Sequence, residues 1–372
     1  MNGGLLCIGM THQSAPLSIR EQTRLDGGQQ GALLAGLGEL APERMILSTC
    51  ERFEVYARPE NAELGEWLGR LARWFHLSTD LLNRHCRIIA GPPVAEHLLR
   101  VAAGLESRII GEPQILRQVR AAFLQADEAA CLGPILSALG RAAIHAGRRV
   151  RRETSINTQA RSVATVAVGR VERELGGLEG KTVLILGSGQ LAGDLVACLA
   201  RRRGCRILVV SSDAERADAL AAKFRGMGLS MARLREGIAQ SAAVIACTKR
   251  PSFVLERSAI GRSQRLCIVD LGVPRNVDPA AGRMPGVRLI HLDELVGDEA
   301  ACEDGIGRAA EIVAEELERF RVWHRDRRAA GEIAQLVAGP AGDTRNRSDS
   351  DVRAAKRALH LRIKRLKDAV AA

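Results

Sequence analysis

Short apolar runs set off by glycine and polar residues mark the first third of the chain. Leu5-Leu6-Cys7-Ile8-Gly9 reads as a strand, Met45-Ile46-Leu47-Ser48-Thr49 as a second and Glu54-Val55-Tyr56-Ala57 as a third. The pattern from Val94 to Ala103 is helical and stops at Gly104, a residue suited to the turn that closes a helix. Pro113 opens another helix, with Ile115, Val119, Ala122, Phe123 and Ala126 on one face. Arg148 to Arg152 forms a basic stretch ahead of a polar segment, Glu153 to Ala160, and a domain boundary is expected there.

From Lys181 onward the pattern becomes strand, turn, helix, strand. Thr182 to Leu186, Cys205 to Val210, Ser230 to Leu234, Ala243 to Cys247, Leu266 to Asp270 and Val287 to His291 are the expected strands, and Gln190 to Arg203 is helix-like. Short apolar strands alternating with helices predict a doubly wound parallel sheet covered on both faces. Past Asp293 the pattern is helical. Ile306, Ala310, Val313, Leu317 and Phe320 follow the spacing of an a/d seam. Gly339 to Asp351 reads as a polar break and Val352 to Ala371 as a basic amphipathic helix.

Composition narrows the classes. Hydrophobic residues make up 46% and charged residues 26% of the 372, which excludes general disorder. Aromatic residues are only 3%, too few for gripping single-stranded nucleic acid by base stacking. The net charge of +11 suits an anionic partner, and equally a high arginine usage without one. The nine cysteines are scattered with no C-x-x-C pair, so reduced thiols and no metal site are expected. The start of the chain lacks a signal-peptide pattern and no apolar run is long enough to span a membrane, so a cytoplasmic setting without membrane contact is expected.

Two segments carry chemistry. Gly187-Ser188-Gly189-Gln190-Leu191-Ala192 fits G-x-G-x-x-G/A between a strand and a helix. The first glycine permits the tight turn, the second lets backbone approach a pyrophosphate, and the helix N-terminus offers free N–H groups. The next strand ends in Ser211-Ser212-Asp213, without a carboxylate at its tip for the ribose hydroxyls. Ser48-Thr49-Cys50-Glu51-Arg52 follows a strand directly. Taken alone, Cys50 is either a structural thiol or a thiolate activated beside Arg52.

From residue 5 to about 295 the chain resembles the glutamyl-tRNA reductase family. Ile8-Gly9-Met10-Thr11-His12-Gln13-Ser14-Ala15-Pro16 with Arg20-Glu21 is similar to that family's opening, and Ser48-Thr49-Cys50-Glu51-Arg52 to its S-T-C-N-R motif. His97 to Ser107 resembles H-L-x-x-V-x-x-G-L-D-S, and Gly111 to Val119 resembles G-E-P-Q-I-L-x-Q-V. Val269 to Pro279 resembles the late D-x-x-V-P-R signature.

The resemblance implies an N-terminal α/β catalytic domain (1–155), a Rossmann-type domain (156–293) and a C-terminal helical linker and dimerisation region (294–372). It implies reduction of glutamyl-tRNA to glutamate-1-semialdehyde through a Cys50 thioester, the first step of the five-carbon route to 5-aminolevulinate and tetrapyrroles. His97 would assist in acid/base work. Thr49, Glu51, Arg52, Ser107, Glu112, Pro113, Gln114 and Gln118 would form the glutamyl pocket, with Arg52 on the γ-carboxylate. Gly187 through Ala192, Ser211, Ser212 and Thr248 would hold NADPH, with NADH as the alternative cofactor. Glutamyl-tRNA, a second copy of the chain and a glutamate-1-semialdehyde aminotransferase are the implied partners. A paralogue acting on another aminoacyl-tRNA and a silent tRNA- or partner-binding protein are the competing readings.

The chain departs from the pattern in places. Glu51 stands where the family has Asn, a carboxylate that opposes thiolate formation. Ser211-Ser212-Asp213 replaces N-R-T, which removes the arginine expected at a 2′-phosphate. Lys249 replaces the glycine after Thr248, and the C-terminal region is short.

Overall fold

The computed structural model describes residues 4–156, 162–248, 250, 252–261, 264–295 and 303–338, together with 357, 360, 361, 363 and 364. Lys249, the polar break from Gly339 and, apart from those five positions, the C-terminal basic segment lie outside the described residues.

The three early apolar runs become β1 (Leu6–Thr11), β2 (Glu43–Ser48) and β3 (Arg52–Arg58), joined by β4 (Arg87–Ala90) in an antiparallel sheet of order β2-β3-β1-β4. Every β1 residue is buried, because helices cover the sheet. Those helices are α1 (Leu17–Arg20), α2 (Gly27–Gly36), α3 (Leu64–Phe75), α4 (Thr79–His85), α5 (Pro93–Ala103), α6 (Gln114–Glu128) and α7 (Pro134–Glu153). Gly104 closes α5 at φ +81°, the left-handed conformation its position in the sequence suggests.

Helix α8 (Val163–Leu175) leads into the second sheet. Its strands are β5 (Thr182–Leu186), β6 (Arg206–Ser211), β7 (Met227–Ser230), β8 (Ala243–Ala246), β9 (Leu266–Asp270) and β10 (Val287–His291). They run parallel in the order β10-β9-β8-β5-β6-β7. The order reverses beside β5, which opens a crevice at the carboxyl ends of β5 and β8. The helices of this part are α9 (Gln190–Ala200), α10 (Ala214–Ala222) and α11 (Leu234–Ala239).

Two expectations are corrected. The strand expected at Ser230–Leu234 lies earlier, at β7, and Met231–Arg233 is a 3-10 turn leading into α11. The edge strand is hidden in Gly226-Met227-Gly228 because α10 packs so close that a Cβ at Gly228 would meet Asp218 Cα at 2.4 Å. The seam after Asp293 is real in helix α12 (Glu303–Ala338), but Val313, Leu317 and Phe320 are buried within the same chain, in the core shared with α5 and α7.

Candidate active site

Strands β2 and β3 are joined by a tight turn with Cys50 and Glu51 at its tip. The Thr49 N–H donates to Arg52 O at 2.8 Å, and the Thr49 hydroxyl accepts from the N–H groups of Glu51 and Arg52, both at 3.1 Å. The threonine therefore builds the turn. Buried Arg20 donates from Nη1 to Cys50 O at 2.6 Å and pairs with Asp293 after β10. Glu21 takes Arg275 from the second half of the chain, its Oε2 accepting from Arg275 Nε at 3.0 Å. The Arg20-Glu21 pair thus ties the Cys50 turn to the parallel-sheet half.

The half-buried Cys50 thiol is pushed up to about 12 by burial, then by the Glu51 and Glu112 carboxylates, against the pull of Arg24 and Arg20. Glu51 is engaged by Arg108, with Nε 3.4 Å from Oε1 and the backbone N–H donating to Oε2 at 3.2 Å. Arg108 Nη2 also reaches Asp293 at 2.7 Å. Buried Glu112 has its carboxyl raised to about 7, by burial first and Glu51 second. Cys50, Glu51, Arg52, Glu112, Gln114 and Gln118 line one small cavity.

His97, Ser107 and Pro113 are absent from the linings of this cavity and of the cleft beside it. His97 Nε2 lies 2.9 Å from Glu54 Oε1, deep in the sheet, and its ring stacks on Tyr56. Tyr56 Oη donates to Glu54 Oε2 at 2.7 Å, and Arg52 Nη1 faces Glu54 Oε1 at 3.3 Å. Burial works against the charge on Glu54, yet Arg52 and His97 hold its carboxyl down at about 2. His97 therefore reaches the site only through Glu54 and Arg52. Pro113 caps the start of α6, and the Ser107 hydroxyl is buried without a hydrogen-bond partner among the described residues.

A cleft of about 820 Å³ adjoins the small cavity and shares Thr49, Cys50, Gln114, Gln118, Leu191 and Leu271 with it. Its floor is the glycine turn. Gly187 sits at φ +134°, where a Cβ would meet Cys247 O at 3.1 Å, so the turn requires glycine. Gly189 precedes the first turn of α9. Ala192 is buried under the turn and serves packing, whereas Gly187 to Leu191, Ser211, Ser212 and Thr248 line the cleft. Ser188 and Ser211 share a hydroxyl contact of 2.8 Å. Asn276 Oδ1 accepts from Thr248 N–H at 2.7 Å, while Asp270 takes the N–H groups of Gly272, Asn276 and Val277, each at 2.9 Å. The late signature thus shapes the loop beneath the cleft. Glycine backbone, a helix start and cations with no carboxylate lining the cleft among the described residues make a wall that fits a dinucleotide.

The comparisons agree with this architecture. Residues 8–154 match the family model for the N-terminal domain of glutamyl-tRNA(Glu) reductase, and residues 170–297 match that for shikimate / quinate 5-dehydrogenase. The glutamyl-tRNA reductase of Desulfitobacterium hafniense is 32% identical over 333 residues, covering 86% of this chain and 75% of that protein. That of Acidothermus cellulolyticus is 34% identical over 346 residues, covering 90% and 72%. The chain belongs to the glutamyl-tRNA reductase family. The solved glutamyl-tRNA reductase from Methanopyrus kandleri superposes with a TM-score of 0.53 at 26% identity, covering 100% of this chain and 98% of that one. Enzymes of this family catalyse the first step of tetrapyrrole synthesis, with charged tRNA as substrate.

Within the family's pattern, two arginines of the cleft escaped the sequence reading. Arg24 follows the Arg20-Glu21 pair, and Arg117 fills the open position of G-E-P-Q-I-L-x-Q-V. With the Gln190 amide turned to satisfy its neighbours, its oxygen accepts from Arg117 at 2.6 Å. Of the basic stretch before the boundary, Arg148 and Arg152 are exposed and two arginines are spent inside the fold. Arg149 pairs with Glu153 and Glu316, and Arg151 donates to the carbonyls of Ala102 and Glu112. Among the described residues no helix is long and apolar enough to cross a membrane.

Proposed function

We propose that this chain reduces glutamyl-tRNA with NADPH through a thioester on Cys50. The observation that carries the reading is the position of Cys50, shared between a small cavity bearing Arg52, Gln114 and Gln118 and a cleft floored by the glycine turn. The glutamyl side chain enters the small cavity. Arg52 meets its γ-carboxylate with donors left over from Glu54 and the Glu106 carbonyl, a guanidinium having five. Glu112 takes the Cys50 proton. It shares the cavity and is poised near neutral pH, which His97 in its buried network is not placed to do. Sulfur attacks the ester carbon, the C–S bond forms, the C–O bond breaks, and the tRNA 3′-terminal ribose oxygen leaves and takes up a proton. The reduced nicotinamide, when bound, supplies the hydride that the thioester carbon accepts. The C–S bond then breaks and Cys50 is regenerated as thiolate.

Gly187 to Leu191, Ser211, Ser212 and Thr248 would hold the dinucleotide, with Arg216 and Arg250 of the same cleft as cations for a 2′-phosphate. Purified protein, charged tRNA and either nucleotide, with the aldehyde trapped and identified, test the reading. Glutamate-1-semialdehyde supports it, and an aldehyde of another amino acid or none overturns it. We extend the proposal to a homodimer pairing through the part of α12 beyond Phe320, where Val322 is exposed, and to transfer of the aldehyde to a glutamate-1-semialdehyde aminotransferase. Sedimentation of the full chain alone and with that enzyme checks both.

A further inference from the structure

Among the described arginines that are buried or half-buried, Arg24 stands apart. Every other described arginine that is buried or half-buried pairs with a carboxylate or donates to a carbonyl, as Arg44 does to Leu34 O, Arg58 to Glu43, Arg108 to Asp293 and Arg202 to Glu172. Among the described residues, half-buried Arg24 does neither. Its segment is fixed, because the Leu25 N–H donates to Ser48 Oγ at 3.1 Å, two residues from the nucleophile. The side chain lines the cleft beside Ser48, Thr49 and Cys50, and no described Asp or Glu lines that cleft. It is also the cation that pulls hardest on the Cys50 thiol. A guanidinium half out of water with no counter-charge is a site prepared for an anion.

Two anions of the substrate compete for it, the glutamyl γ-carboxylate and the tRNA backbone. The cavities separate them. Arg52 lines the small cavity and Arg24 only the open cleft. The glutamyl group fills the small cavity, so the esterified nucleotide extends into the cleft, and one ribose separates the ester from the nearest phosphodiester. The dinucleotide has other cations in the cleft, Arg216 on the helix after β6 and Arg250, whose N–H donates to Thr248 Oγ1.

We propose that Arg24 binds the phosphodiester immediately 5′ of the tRNA terminal ribose and so sets the ester carbon against Cys50. The inference rests on the Cys50 thioester reading. Its test compares acylation of Cys50 by glutamyl-tRNA with acylation by 3′-O-glutamyl-adenosine, which carries the same ester and no phosphate. For R24Q, kcat/KM on glutamyl-tRNA should fall ~ten- to a hundredfold, the loss expected for one charge-assisted contact. The salt slope should become shallower by about one phosphate contact. Acylation by glutamyl-adenosine should fall by much less, since it loses only the pull of Arg24 on the Cys50 thiol, and affinity for NADPH should be unchanged. R24K should recover part of the loss as a point charge and confirms that the fold is intact. Equal losses on both esters would overturn the proposal in favour of the γ-carboxylate or of Cys50 itself. Weakened NADPH binding would reassign Arg24 to the dinucleotide, and an unchanged R24Q would remove it from the site. If the wild type forms no Cys50 adduct with either ester, the thioester reading itself fails, and this inference with it.

Discussion

In the small cavity beside Cys50, acids and bases face one another. Glu51 is held by Arg108, Arg52 by Glu54, and Glu112 remains as a carboxyl near neutrality. In the adjoining cleft, Arg24, Arg117, Arg216 and Arg250 line the walls with no described carboxylate among them. The two regions share Cys50 and treat charge in opposite ways. The cavity is balanced, as suits a side chain that must be selected and a proton that must be moved. The cleft is one-sided, as suits ligands that bring their own phosphates.

Replacing the group the two regions share should have the largest effect. Cys50→Ser should abolish reduction while leaving tRNA binding intact, since a serine hydroxyl is essentially un-ionised at neutral pH. A residual rate of even a tenth of wild type would remove Cys50 as nucleophile. On the balanced side, Glu112→Gln should slow acylation ~hundredfold or more, the scale of a general base. The wild-type rate should rise with pH through about 7, as Glu112 ionises and gains the ability to accept the proton, and the variant should lose that limb. Stability moves in the opposite sense. A carboxyl raised from 4.5 to about 7 favours the fold fully below pH 4.5, and that contribution is lost as pH rises through 7. Glu112→Gln should therefore exceed wild type in urea at pH 8 by on the order of 3 kcal/mol and match it at pH 4.

His97→Asn probes the network behind the cavity. Loosening Glu54, and with it Arg52, should raise KM for glutamyl-tRNA roughly tenfold, as for one hydrogen bond to a charged group, while the pH limb stays. Loss of that limb in the histidine variant would make His97 the base instead. The smallest effect concerns the cleft. Ser211 and Ser212 offer neutral donors, and Arg216 Nε already stands 3.9 Å from Asp213. NADPH should be favoured over NADH by less than ~tenfold, the range of neutral hydrogen bonds. A preference above a hundredfold would assign Arg216 or Arg250 to the 2′-phosphate, with the alanine variants showing which.

What the sequence disclosed follows from how local the signals are. The parallel strands were visible because burial on both faces makes them unbroken apolar runs, and the glycine turn because its chemistry sits in six consecutive residues. β7 was not visible, since its glycines answer to a helix packed from elsewhere in the chain. The S-T-C-E-R segment was legible as a motif, but Glu51 looked unopposed because Arg108, which engages it, lies far along the chain. His97 read as a candidate acid because nothing local reveals that Glu54 and Tyr56 enclose it. Arg24 left no signal at all. Its meaning lies in the absence of a partner, which only the fold displays.

The most direct measurement of the central claim is a single turnover of labelled glutamyl-tRNA on excess enzyme without nucleotide, followed by mass spectrometry of the peptides. A glutamyl adduct should appear on Cys50 as tRNA is released, be absent from Cys50→Ser, and disappear on addition of NADPH at the rate at which aldehyde forms. An adduct on another cysteine, aldehyde forming with no adduct on Cys50, or an adduct consumed more slowly than aldehyde appears would contradict the account.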